Sequence, residues 1–504
     1  MLELQHLTIR LKKDGRILLE DFSFSLLPGD KAAIIGEEGN GKSTLLRYLF
    51  DPAAVEEYCE CEGKVLCRGK PAYLPQLADR SLDRVTLGEY FADTEYYLYT
   101  DTLTRLGLTT EWILSDQPLG TLSGGERVKA QLARLLMTDP DVLLLDEPTN
   151  DLDIETLEWL ERFINTTRLP VLFISHDETL IENTANVILH MEQLIRKTTP
   201  RITVSRMAYR DYLADRLHRF EHQDQVAQKQ RDDYDKQMEK WRQIYQRVDH
   251  EQNAISRGDP GGARLLKKKM HSVLSMGKRF EREKENFTDF SESEDAILTR
   301  FDPSVTLPAG KTVLDAHGLT VSAGGRTLAE NVALRVMGGE HIGIIGRNGA
   351  GKTTLLSVLW GQLRDRTDIV PYYMPQDYLL RLEPAQSPVV FLAPSGKKED
   401  VTRVRTFLGN MRFTHEEMTD PAARLSGGQR AKVLFLDMVL RGADVLLLDE
   451  PTRNFSPLSG PVVREALRDF GGTIISVSHD RKYLREVCDK VYRLTEAGLT
   501  EERM

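Results

Sequence analysis

Cysteine is scarce, with four residues in a chain of 504. That is too few for a disulfide framework at this size, and it agrees with a reducing compartment. Three of the four, Cys59, Cys61 and Cys67, fall in the stretch CECEGKVLC. Their spacing matches no common zinc pattern and no fourth ligand lies close by, so an alternating strand pair with incidental cysteines is expected. Long apolar runs are also missing, since no stretch of about 18 uninterrupted apolar residues occurs. The opening residues MLELQHLTIR lack a charged segment leading into an apolar one. A protein that is neither exported nor membrane-spanning, located in the cytoplasm, is the expectation. Positive charge is in deficit: the formal net charge is −10, a field that repels polyanions. Any nucleic acid must therefore be met by a local basic patch.

What is present is enough ordinary apolar material, 40% of the residues, to fold more than one core. A chain of this length exceeds what a single core usually organises. An internal repeat fixes the division. GEEGNGKST from Gly36 recurs as GRNGAGKTT from Gly346, and LSGGE from Leu122 recurs as LSGGQ from Leu425. Lys42 and Lys352 stand 310 residues apart, while Ser123 and Ser426, Glu147 and Glu450, and His176 and His479 each stand 303 apart. One domain therefore occurs twice, over residues 1–205 and 310–504, with a connector over 206–309.

Both copies carry GxxxxGK[ST] after an apolar strand, KAAII in one and HIGII in the other. The first loop comprises Gly36, Glu37, Glu38, Gly39, Asn40, Gly41, Lys42, Ser43 and Thr44. The second comprises Gly346, Arg347, Asn348, Gly349, Ala350, Gly351, Lys352, Thr353 and Thr354. Glycines let backbone N–H groups wrap phosphates, the following helix presents its positive end, and the lysine neutralises β/γ oxygens. The hydroxyl of Ser43 or Thr353 is a magnesium ligand in this pattern. The two VLLLD stretches read as buried parallel strands ending in Asp146 and Asp449. At the carboxyl end of an open α/β sheet those aspartates can hold magnesium, and Glu147 and Glu450, one residue on, can polarise an attacking water.

Phosphate loop, following glutamine, LSGG[EQ], LLLDEPT and SHD occur in one order in both halves, and in this the chain resembles the ATP-binding cassette (ABC) superfamily. The resemblance implies an α/β fold with two P-loop cassette domains, ATP with Mg2+ as cofactor, and ATP hydrolysis. It further implies that Gln76 and Gln376 sense magnesium and water, and that His176 and His479 contact the γ-phosphate. Head-to-tail pairing is implied as well: Ser123, Gly124 and Gly125 would reach ATP on the second loop, and Ser426, Gly427 and Gly428 ATP on the first. A Ser-Gly-Gly at a helix start suits that task, offering an N-cap, a dipole and close backbone approach. Two departures stand out. Asn150-Asp151-Leu152-Asp153 in the first copy becomes Arg453-Asn454-Phe455-Ser456 in the second, which predicts two sites of unequal rate. Leu11 and Ala323 fall where an adenine-stacking aromatic is common, which predicts weak base selectivity.

The connector has a different texture. No proline or glycine interrupts Tyr209 to Ile255, and its sparse apolar residues fall mostly at helical spacing. RGDPGG at Arg257 to Gly262 breaks the pattern, which resumes from Ala263 to Asn286. A helical hairpin linker is predicted. From Arg264 to Arg279 the connector is free of Asp and Glu, and Arg264, Lys267, Lys268 and Lys269 cluster beside the expected tip. Phosphate-backbone contact with RNA is the reading preferred over a merely solvated face, without base-specific readout, since aromatics near the tip are few. Tandem cassettes joined by a charged helical connector resemble the ABC-F family. That resemblance implies a ribosome partner, with the linker directed toward P-site tRNA and the peptidyl-transferase region of large-subunit rRNA, and a monomer with intramolecular cassette pairing. Antibiotic resistance by ribosomal protection is the favoured role. A housekeeping translation factor of the same family is the first alternative, and a cytosolic ATPase coupled to a protein partner or membrane permease the second.

Overall fold

A computed structural model describes residues 2–76, 80–194, 198–254, 260–285, 287–288, 290 and 300–502. Contacts divide the chain into two units, 1–209 with 294–504, and 210–293.

The larger unit contains both copies of the repeat. In the first, a six-stranded sheet runs β5(Pro71–Leu74), β6(Val142–Asp146), β7(Val171–Ile174), β3(Lys31–Ile35), β8(Val187–Gln193), β9(Thr199–Ser205). All neighbours are parallel except β8 and β9. In the second copy the order is β13(Pro371–Met374), β14(Val445–Asp449), β15(Thr473–Val477), β12(His341–Ile345), β16(Lys490–Thr495), β17(Gly498–Glu502), antiparallel only at the last pair. Strands β3, β6, β12 and β14 are buried along their whole length, which is why they read as unbroken apolar runs rather than alternating ones. The parallel arrangement brings the carboxyl ends of β3 and β6 together with that of β7, and it is from these ends that the sequence motifs emerge.

Each copy adds an antiparallel layer. Strands β10(Thr312–Ala323) and β11(Arg326–Met337) pair in the second copy, while in the first β2(Ile17–Leu26), β1(Leu2–Leu11) and β4(Cys59–Cys67) form three strands. CECEGKVLC is thus one strand, not the expected pair. It lies antiparallel along the free edge of β1, from Leu2 opposite Cys67 to Leu11 opposite Cys59, and buries Cys59 in the core.

The smaller unit is two helices, Tyr209–Ala254 and Pro260–Glu285. The first has 46 residues, roughly 70 Å of α-helix. Trp241 Nε1 donates to Val273 O at 2.7 Å, and a Cβ on Gly277 would stand 2.9 Å from the Trp241 ring, so this glycine lets the helices close on the indole. The expected turn falls partly on residues 257–259, which lie outside the described residues. Pro260, Gly261 and Gly262, assigned from sequence to that turn, instead open the second helix. A proline suits the first helical position because its missing N–H would have had no helical partner.

Candidate functional site

The phosphate loops adopt near-identical backbones. Gly36, Gly39 and Gly41 have φ of 139°, 82° and 91°, and Gly346, Gly349 and Gly351 have 153°, 80° and 93°. These are left-handed values that glycine adopts freely. A Cβ at Gly36 would lie 2.1 Å from Met191 O. Lys42 Nζ donates to Gly36 O at 2.6 Å and Glu37 O at 3.0 Å, and Lys352 Nζ to Gly346 O at 2.7 Å and Arg347 O at 3.0 Å. Each ammonium is therefore buried at the mouth of its loop. The helices that follow, from Lys42 and from Lys352, have no side-chain cap, so their positive ends face the loop interior.

Beneath each loop sit the strand-end carboxylates. Asp146 accepts from Ser43 Oγ at 2.9 Å and from Tyr73 Oη at 3.0 Å. Burial raises the pKa of both Asp146 and Asp449, opposed in each by the loop hydroxyl, Ser43 or Thr353. Glu147 and Glu450 sit in the left-handed region, φ 49° and 53°, a strained turn that swings their carboxylates off the strand line.

The two copies then diverge. His176 Nε2 lies 3.0 Å from Glu147 Oε1, while its Nδ1 lies 3.0 Å from Phe455 O of the other copy. Burial works against both charges, yet the pair prevails: Glu147 is held below its usual range and His176 above. At the second site the gap from His479 Nε2 to Glu450 Oε1 is 3.6 Å. There burial dominates, pushing Glu450 up to about 8 and His479 down to about 3, the latter helped by Lys352. The first pair favours separated charges and the second opposes them.

The signature serines cap their helices as expected. Ser123 and Ser426 accept from Glu126 N and Gln429 N, and each third residue reaches back to complete a capping box. A cavity of about 450 Å³ collects Lys352, Thr353, Asp449, Glu450, Gln376 and His479 with Gly124 from the first copy. The second loop therefore meets the first signature in one composite site. Asp449 Oδ2 and His479 Nδ1 are buried there without a hydrogen-bond partner among the described residues, unused capacity that suits a bound cation and phosphate. Ser123 instead lines a neighbouring hollow with Arg347 and Asn348, and Gly125 packs against Thr156. Arg453, read from sequence only as a departure, pairs with Asp151 at 2.9 Å across the copies. Gln76 is exposed, in a bend after β5.

The first site is built differently, and sequence reasoning missed how. Glu38 Oε2 accepts from Gly428 N at 2.9 Å. Glu37 takes Ser456 Oγ at 3.0 Å, Ser459 Oγ at 2.9 Å and Lys432 Nζ at 3.3 Å. Acidic residues inside a loop read as holding polyphosphate were the available signal.

Around these sites the copies are joined by ion pairs of one polarity. Glu178 meets Arg464 at 2.8 Å and Lys482 at 2.8 Å, Glu182 meets Lys482 at 2.7 Å, Glu155 meets Arg493 at 3.4 Å, and Glu161 meets Arg481. Every acid belongs to the first copy and every base to the second.

Two phosphate loops, two capped signature helices and a cavity shared between the second loop and the first signature define a tandem nucleotide-binding protein. A family model described as ABC transporter matches residues 19–150 and 329–453, and the chain belongs to that ATP-binding cassette family and is an ATPase. Its relatives agree with recognition as an ABC-F protein. The ribosome protection protein VmlR of Bacillus subtilis (strain 168) is 28% identical over 499 residues, covering 95% of this chain and 84% of its own. The energy-dependent translational throttle protein EttA of Haemophilus influenzae is 28% identical over 536 residues, covering 96% and 90%. An archaeal ribosome recycling factor, aABCE1, solved with the ribosomal stalk protein aP1, shares the fold at TM-score 0.59 and 17% identity, covering 99% of this chain and 90% of its own. Among the described residues no helix is long and apolar enough to cross a membrane.

Proposed function

We propose that this chain is a cytoplasmic, ribosome-binding ATPase of the ABC-F type, organised as cassettes over 1–205 and 310–504 around a linker over 206–309. The composite cavity, in which Gly124 faces the loop of Lys352, carries the reading of its cycle. A nucleotide held there touches both halves, so binding joins the cassettes and hydrolysis releases them. In this scheme Glu147 and Glu450 polarise the attacking water, His176 and His479 contact the γ-phosphate, and the phosphate loops with the opposing signature residues hold the triphosphate. Ser43, Gln76 and Asp146 at one site, and Thr353, Gln376 and Asp449 at the other, would hold Mg2+, which supplies charge neutralisation of the β/γ oxygens when bound.

The ribosome enters through the relatives, one named for ribosome protection and one for translational throttling. Arg264, Lys267, Lys268 and Lys269 are exposed, and Lys269 lies 3.9 Å from Glu251. Such a cluster suits rRNA or tRNA phosphates. The linker is assigned to reach toward P-site tRNA and the peptidyl-transferase region, and the role to antibiotic resistance by ribosomal protection in a monomer. The test uses the Glu147→Gln/Glu450→Gln chain in lysate with ATP. Its accumulation on ribosomes or large subunits supports the reading, and its absence from both overturns it. Unchanged inhibitory concentrations across a panel of large-subunit antibiotics in a sensitive bacterium would exclude protection.

A further inference from the structure

The first phosphate loop carries two carboxylates where the second carries Arg347 and Asn348. All four residues point across to the other cassette, but to different ends. At the second site Asn348 donates to Asp151 O, leaving the signature backbone at Gly124 to line the open cavity. At the first, the signature is taken. The N–H of Gly428, second residue of the helix Gly427–Leu440, donates to Glu38. This is an amide of the kind that binds anions at a helix start.

Glu37 is committed just as fully. Its side chain is 12% exposed and that of Lys432 6%, so this ion pair is shielded from water, and two serine hydroxyls complete the carboxylate's shell. Together they hold its pKa down despite burial, the largest single influence, which acts to raise it. The opposite face has the complementary residue: Ser456 occupies the repeat position of Asp153, and an aspartate there would set carboxylate against carboxylate. At the second site the polarity is reversed, with Asp153 and Arg347 lining one small hollow. Ser456, part of the second copy's departure from Asn-Asp-Leu-Asp, is therefore half of an exchanged pair.

We propose that Glu37 and Glu38 form a carboxylate latch that stands in for the terminal phosphate of ATP at the second signature helix and joins the cassettes at the first site without nucleotide. The latch rests on the assignment of Gly36–Thr44 as an ATP site. A triphosphate on that loop competes with Glu38 for the Gly428 N–H and meets the repulsion of both carboxylates. ATP-dependent joining then belongs to the second site, and the first serves as a standing connection that nucleotide loosens or modifies.

The test uses the full chain with Lys352→Ala to silence the second loop, and adenylyl-imidodiphosphate with Mg2+ as the probe. Glu38→Gln removes the charge at almost constant shape and spares the buried Glu37 pair, so folding is retained. Two readouts are expected to change. Affinity for the probe at the remaining loop tightens about tenfold or more, and in nucleotide-free protein backbone hydrogen exchange across residues 425–433 accelerates. Exchange that is unaltered by Glu38→Gln, or affinity that stays equal or weakens while probe still binds, overturns the latch. If no variant binds probe at all, and Lys42→Ala behaves like its parent, the phosphate-loop assignment itself falls. Faster exchange in the Glu37→Arg/Glu38→Asn chain, which installs the second loop's residues, would add support, and unchanged exchange there counts equally against it.

Discussion

Glu37 binds its partners with its charge, and that gives a signed pH dependence. Lys432, Ser459 and Ser456 hold its carboxyl below the usual range against burial. Folding therefore favours the ionised form: the stabilisation is complete above the ordinary glutamate pKa and is lost as pH falls through the lower folded value. Glu37→Gln leaves Lys432 buried without a counter-charge, and is expected to cost roughly 3 kcal/mol at pH 7. In urea titrations the gap from wild type narrows in acid below the ordinary carboxylate range. The two carboxylates proposed as general bases differ in a way that kinetics can read. Glu147 is paired with His176 at 3.0 Å, whereas Glu450 is pushed up to about 8 by burial. Either Glu→Gln change lowers turnover at its own site by about 10²-fold or more, measured as phosphate release. With the first signature engaged by a carboxylate, most of the total rate is expected to vanish with Glu450→Gln and little with Glu147→Gln.

At the scale of elements, the hairpin hinges on one ring. Trp241 donates to Val273 O at 2.7 Å, and Gly277 makes room for it. Trp241→Ala and Gly277→Leu are each expected to destabilise the pair of helices by about 2 kcal/mol, seen as faster hydrogen exchange across 234–254 and 264–280. Elements carried by local pattern were legible in the sequence. Both VLLLD strands run from Val142 to Asp146 and from Val445 to Asp449, and the long helix runs from Tyr209 to Ala254. Elements defined by a distant partner were not. CECEGKVLC reads as an alternating strand pair, but the edge of β1 recruits the whole stretch, with Gly63 at φ 109° closing against His6 O. The same limit hid the latch: Glu37 and Lys432 are 395 residues apart, and neither spacing nor periodicity connects them. Within the motifs, the phosphate loops and capped signatures were legible because each is a local backbone solution to holding an anion.

At the scale of the molecule, charge decides which halves can meet. Glu161 and Arg464 occupy one repeat position, as do Glu178 and Arg481. The pairs Glu161 with Arg481 and Glu178 with Arg464 are thus related by the pseudo-symmetry of the repeat, with all acids on one side. Two first cassettes would set Glu161 against Glu178, and two second cassettes Arg464 against Arg481. Arg464→Glu is expected to destabilise the joined cassettes by about 3–5 kcal/mol, because it buries like charges. Adding Glu178→Arg should recover part of that loss, read in the thermal midpoint of the full chain. The connection at Glu37 and Glu38 has a mechanical consequence. Halves held at the first site by the proposed latch would not part there and at the Lys352 loop together. They can swing like the covers of a book about its spine, so that a small release at the Lys352 loop becomes a rotation largest at the far margin.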